Sequence, residues 1–133
     1  MNGTYAIFLR LEKTRIRIGA LGPKTFDNNV YVYVGSAYGT GGLKRVRRHK
    51  AVAEGERSVQ HWHIDYILPS ADWVKAAYVE EQRECETAQR LSGTRVSGFG
   101  SSDCNCESHL VRVSMDRAET AIKDHGFSDW NPD

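Results

Sequence analysis

From Thr4 to Leu11 the chain alternates, with Tyr5, Ile7, Leu9 and Leu11 on one side and Ala6, Phe8 and Arg10 on the other. That is the period of a β-strand. Glu12-Lys13 predicts a turn, and the alternation resumes over Arg15-Ile16-Arg17-Ile18, a candidate hairpin partner. Gly19 to Asn29 contains Gly22-Pro23 and Asp27-Asn28-Asn29 and reads as a loop with a short strand near Thr25-Phe26. Val30 to Val34, rich in β-branched and aromatic residues, predicts a third strand. Four glycines between Gly35 and Gly42 predict a turn, and Leu43 to Val52 a helix with one thin apolar stripe.

The second half begins with a polar loop at Glu54–Ser58. His61 to Leu68 alternates and stops before Pro69, which predicts a strand burying Trp62, Ile64, Tyr66 and Leu68 and turning His61, His63 and Asp65 outward. Trp73 to Val79 is rich in strand formers, and Glu80 to Leu91 has helical composition ending at Ser92-Gly93. Ser97 to Glu107 reads as a compact loop and His109 to Val113 as a last strand. Ser114 is placed to cap a helix from Met115 to His125, with Gly126 after it and a tail from Trp130. The expected fold class is α/β of the α+β type: a small mixed, mainly antiparallel sheet flanked by helices, in one domain over residues 1–133.

Composition narrows the classes. Hydrophobic residues are 40% and charged residues 26% of 133, which excludes disorder, collagen and coiled coil. No apolar run approaches the about 20 residues of a membrane helix, and the N-terminus lacks the basic and apolar segments of a secretory signal. The expectation is therefore no membrane partner and a cytoplasmic location. A net charge of +1 argues against a strongly basic packager of nucleic acid but leaves room for a local basic patch. Three cysteines, Cys85, Cys104 and Cys106, cannot all pair within the chain, so they read as core thiols or metal ligands.

The basic patch is the predicted helix after the glycine turn. Arg45, Arg48 and His49 stand at i, i+3 and i+4 and share a face, while Lys44, Arg47 and Lys50 widen the charge. Guanidinium groups at this density suit phosphate oxygens, although a solvated basic face has the same composition. Gly39-Thr40-Gly41-Gly42 lacks the Lys-Ser/Thr ending of a P-loop and fits a turn that lets a backbone approach closely. Two strands each bring a tyrosine near a glycine: Gly3-Thr4-Tyr5 and Tyr33-Val34-Gly35.

With Arg45 and His49, these residues resemble the GIY-YIG nuclease superfamily. Over residues 3 to about 113 the chain is most similar to a branch found alone or fused to endonuclease III-type DNA glycosylases. Val32 to Ala37, Gly41-Gly42-Leu43, His61 to Tyr66, Glu84-Cys85 and Gly98 to Cys104 carry that likeness. Thr4 and Val34 replace the two isoleucines of the superfamily motif, a change expected to touch packing only. The longer stretch between the tyrosines implies an extra hairpin, and the superfamily's later asparagine has no clear counterpart beyond Asn105.

The resemblance implies a metal-dependent endonuclease cutting phosphodiester bonds in DNA, in DNA repair, with Tyr5, Tyr33, Arg45, His49 and a glutamate as catalytic residues. Glu84 is the glutamate that shares a helix face with Ala88 and Leu91, whereas Glu86 stands four residues before Arg90 in a surface-pair arrangement. An oxygen ligand of this kind suits Mg²⁺ or Mn²⁺. Either a tyrosine or His49 would serve as the base. A phenol near its usual pKa of about 10 needs help at neutral pH, while an imidazole titrates in a better range. Lys44, Arg47, Arg48, His61 and His63 are the candidate nucleic-acid contacts. Cys104, Cys106 and His109 form a candidate Zn²⁺ site, their Cys-x-Cys spacing tighter than usual. Two other readings use the same residues: a nucleic-acid-binding module without catalysis, and a zinc-stabilised domain docking a repair glycosylase.

Overall fold

The computed structural model describes residues 3–37, 42, 44–58, 62–96, 99 and 108–130. Along the chain come β1 (Thr4–Leu11), β2 (Thr14–Arg17), β3 (Pro23–Phe26), β4 (Asn29–Ser36), α1 (Lys44–Ala53) and α2 (His63–Ile67). They are followed by β5 (Asp72–Val79), α3 (Glu84–Arg90), β6 (Gly93–Arg95), β7 (Leu110–Val113), α4 (Met115–Asp124) and β8 (Ser128–Trp130). The class is α+β. Six strands form one sheet in the order β6-β7-β4-β1-β5-β8, every pairing antiparallel, and β2 and β3 form a separate ribbon.

The alternation in β1 has a physical counterpart in two cores. Tyr5, Ile7, Leu9 and Leu11 pack with Tyr31 and Tyr33 of β4, Val46 and Val52 of α1, Ile64 and Ile67 of α2, and Ile18 and Phe26 of the ribbon. Ala6 and Phe8 pack on the opposite face with Val30, Val32 and Val34, Ala88 of α3, and Ala118 and Ile122 of α4. Because both faces are covered, β1 and β4 carry almost no exposed side chain. In the register, Tyr5 lies opposite Gly35 and Ile7 opposite Tyr33, so the two tyrosines sit diagonally on one face.

Three expected elements differ. His61 to Leu68 is not a strand: His63–Ile67 is a short helix, followed by a single 3₁₀ turn at Leu68–Ser70. Ile64, Asp65, Ile67 and Leu68 are the buried positions, a helical stripe rather than an alternating one. The Asp65 carboxylate accepts the Trp62 backbone N–H at 2.9 Å, satisfying a donor at the helix start. Second, β2 pairs with β3, not with β1, so the added hairpin expected between the tyrosines is the β2–β3 ribbon. Third, α3 starts at Glu84 rather than Glu80, and the tail contributes β8 against β5. Ser114 occupies the cap position of α4, but its side chain makes no capping hydrogen bond. Among the described residues no helix is long and apolar enough to cross a membrane.

Candidate functional site

The start of β1, the end of β4 and the first turns of α1 and α3 meet at one end of the sheet. Both motif glycines are there for steric reasons. A Cβ on Gly35 would collide with the ring and hydroxyl of Tyr5, and one on Gly3 would collide with the Val79 carbonyl oxygen on β5. Gly35 thus makes the space through which the Tyr5 ring lies across β4. The two tyrosine rings are 6.2 Å apart between centroids.

Tyr5 Oη lies 2.8 Å from His49 Nε2, a buried hydrogen bond joining β1 to α1. The two residues are 3% and 0% exposed, so His49 is closed off from bulk water and Tyr5 keeps only a narrow opening to it. Burial pushes the His49 imidazole down to about 4, with Arg48 and Arg45 adding to the effect and Asp65 opposing it. His49 is therefore neutral near pH 7. Burial also raises both phenols; Tyr33 next to Tyr5, and Glu84 next to Tyr33, raise them further, and Arg45 pulls both back. Both phenols therefore keep their protons at neutral pH.

Arg45 reaches back to β4, donating from Nη1 to the Ser36 carbonyl at 2.8 Å. Its guanidinium and that of Arg48 lie over the Trp62 indole, at 5.2 and 4.5 Å from the ring centroid. His49 meets the same indole edge-on at 5.7 Å. The i, i+3, i+4 face of α1 is thus gathered on one aromatic side chain.

Glu84 opens α3 at the edge of this cluster, its side chain 25% exposed and Oε2 3.9 Å from His109 Nδ1. Thr4 helps to hold it there. Its buried hydroxyl donates to the Glu81 carbonyl at 2.6 Å and accepts the Arg83 N–H at 2.8 Å, pinning the segment that leads into α3. Glu86 points elsewhere, its Oε2 3.2 Å from His125 Nε2 rather than in the surface arrangement with Arg90 that the spacing suggests.

The remaining candidates are spread more widely. Lys44 and Arg47 are exposed on α1. Arg48 is turned inward, donating to both oxygens of the buried Asp65 at 3.3 and 3.1 Å. His63 packs against Phe99 at 5.5 Å, and Phe99 in turn meets Tyr33 at 5.9 Å. Burial lowers the His63 pKa. His61, Cys104 and Cys106 lie outside the described residues. His109 is buried, its pKa lowered by that burial, with Nε2 3.6 Å from Cys85 Sγ.

Among the described residues no group of three or more His, Cys, Asp and Glu side chains is placed to enclose a metal ion. A partly exposed carboxylate suits Mg²⁺ or Mn²⁺, which keep several waters and take one or two carboxylates plus substrate phosphates. Glu84 fits that pattern. Sequence reasoning set Asp65 on an outward strand face with His61 and His63, whereas it is buried here, and it missed Trp62 and Thr4 as parts of this site. The signal for Asp65 was its spacing three residues after Trp62, the separation of a helix start and its first-turn carboxylate.

A family model described as a domain of unknown function, DUF123, matches residues 4–129. No curated protein matches the chain, and no solved structure does.

Proposed function

The chain belongs to the DUF123 family, whose match spans nearly its whole length; on the site's geometry we propose that it is a metal-dependent endonuclease cleaving DNA phosphodiester bonds, in DNA repair. One observation carries the reading: the buried Tyr5–His49 hydrogen bond stands beside Tyr33, with Arg45 and Glu84 close enough to shift the tyrosines electrostatically. The resemblance to GIY-YIG nucleases supports it from the sequence side.

Glu84 would hold Mg²⁺ or Mn²⁺, which supplies Lewis-acid stabilisation to a leaving oxygen when bound. Arg45, held at the end of β4, offers a guanidinium to the equatorial oxygens of a phosphoryl group. Tyr5 keeps its own proton at neutral pH, so it acts by relay: its Oη takes a proton from an incoming water while releasing its own to His49 Nε2. His49 is too buried to meet water directly and serves as the acceptor behind the phenol. The negative phosphate of the substrate raises the affinity of that imidazole for a proton. Tyr33 packs beside Tyr5 and helps to hold its ring in place.

The test is incubation of supercoiled plasmid, branched duplex and abasic duplex with the protein and Mg²⁺ or Mn²⁺. The expected result is cation-dependent nicking that falls by about 100-fold or more in Glu84→Ala and Arg45→Ala and clearly in Tyr5→Phe, which removes the relaying hydroxyl. Binding to DNA should survive in Glu84→Ala. Nicking at wild-type rates in all three variants, or no cleavage by the unaltered protein on any substrate, sinks the reading.

A further inference from the structure

The least expected group near the site is Asp65. It is fully buried on α2 and accepts hydrogen bonds from Arg48 and from the Trp62 backbone. Its Oδ1 also lies 3.9 Å from His49 Nδ1. That nitrogen is buried and has no hydrogen-bond partner among the described residues, while Nε2 on the other side of the ring meets Tyr5 Oη.

A neutral imidazole carries one N–H and one lone pair. With the proton on Nε2, the Nδ1 lone pair would face the Asp65 carboxylate, and the Tyr5 hydroxyl would need another acceptor for its own proton. With the proton on Nδ1, the N–H dipole points at the carboxylate, and Nε2 is open to the Tyr5 hydroxyl. Burial strengthens the preference, because little water screens the carboxylate from the ring. Arg48 and the Trp62 N–H fix the carboxylate, and the Trp62 indole backs Arg48.

We propose that Asp65 is a positioning residue that holds His49 as the Nδ1–H tautomer, so that Nε2 accepts the Tyr5 proton. The purpose of this arrangement rests on the hydrolytic reading above; the tautomer itself does not. On this view α2 is a clamp, placing one carboxylate behind the histidine of the neighbouring helix.

The experiment is two-bond ¹H–¹⁵N correlation spectroscopy of histidine-labelled protein near pH 7, on the unaltered chain and on Asp65→Asn. The expected result is a His49 ring protonated at Nδ1 in the unaltered chain, with an Nε2–H population appearing in Asp65→Asn. Nicking, measured in parallel, should fall about 100-fold in kcat with DNA affinity retained, and Asp65→Glu should recover part of it. An Nε2–H ring in the unaltered protein overturns the proposal, as does an unchanged ring in the variant. Should Asp65→Asn fail to fold, Asp65→Asn with Arg48→Gln removes the buried cation along with its partner and carries the same comparison. An Nδ1–H ring that shifts as expected, in a protein that never nicks DNA, would defeat the nuclease reading and leave the tautomer assignment standing.

Discussion

His49 links the chemistry of the site to the stability of the protein. Its imidazole, ordinarily near 6.5, is pushed down to about 4 in the folded chain, so the unfolded chain binds more protons between those values. Stability therefore rises with pH across that window, is fully present above about 6.5, and has been lost by about pH 4. The magnitude is on the order of 3 kcal/mol for a shift of this size. Urea unfolding at pH 7.5 and pH 5 should show about 2 kcal/mol of that loss in the unaltered protein, and His49→Gln should remove it. An identical pH dependence in the two proteins would mean that the histidine is solvated or charged when folded. Tyr5 adds a steric requirement, because its ring occupies the space a side chain at position 35 would fill.

At the scale of elements, the connection from β5 to α3 depends on one hydroxyl. Thr4 both donates to Glu81 O and accepts from Arg83 N, so Thr4→Val keeps the shape and strands two backbone groups. The expected cost is about 1–3 kcal/mol, with faster amide exchange at Arg83 and, if Glu84 holds a catalytic cation, weaker cation dependence of nicking as Glu84 loosens. Wild-type exchange at Arg83 would remove Thr4 from that role. The long strands were legible in the sequence because β1 alternates along its length and the middle of β4, Val30 to Val34, is dense in β-branched and aromatic residues. The segment at His63–Ile67 was not. Five residues fit either period, and what decides is tertiary: Asp65 turns inward to meet Arg48 and the helix start. Likewise Arg15 to Ile18 looked like a partner for β1, but Ile18 and Phe26 bury against the main core while β2 and β3 pair with each other. Tyr5, Tyr33, Arg45 and Glu84 could be singled out from spacing and resemblance. The carboxylate behind His49 could not, because it reaches the site only through a helix that the alternation concealed.

Taken whole, the molecule separates its charge. Residues 13–26 and α1 together hold nine of the 18 Lys and Arg and none of the 17 Asp and Glu. Both stretches pack on the same core as Tyr5, through Ile18, Phe26, Val46 and Val52, while α3 and α4 lie on the other. Arg15 and Arg17 are exposed on the ribbon. If DNA is the substrate, these arginines add phosphate contacts beyond α1. Arg15→Ala with Arg17→Ala should then lower the slope of log affinity against log salt by about 2, while leaving the cleavage step at saturating DNA intact. An unchanged slope would confine the contact to α1.

The interior place of β1 in the sheet sets an order of failure. Tyr5 rides on a strand bonded along both edges, whereas Glu84 begins a helix of only seven residues reached through a tethered loop. Segments with fewer mutual bonds open more readily. Under mild heat or denaturant the acidic arm should swing away while the phenol and imidazole still hold one another, so a cation, if Glu84 holds one, would be released well before the protein melts.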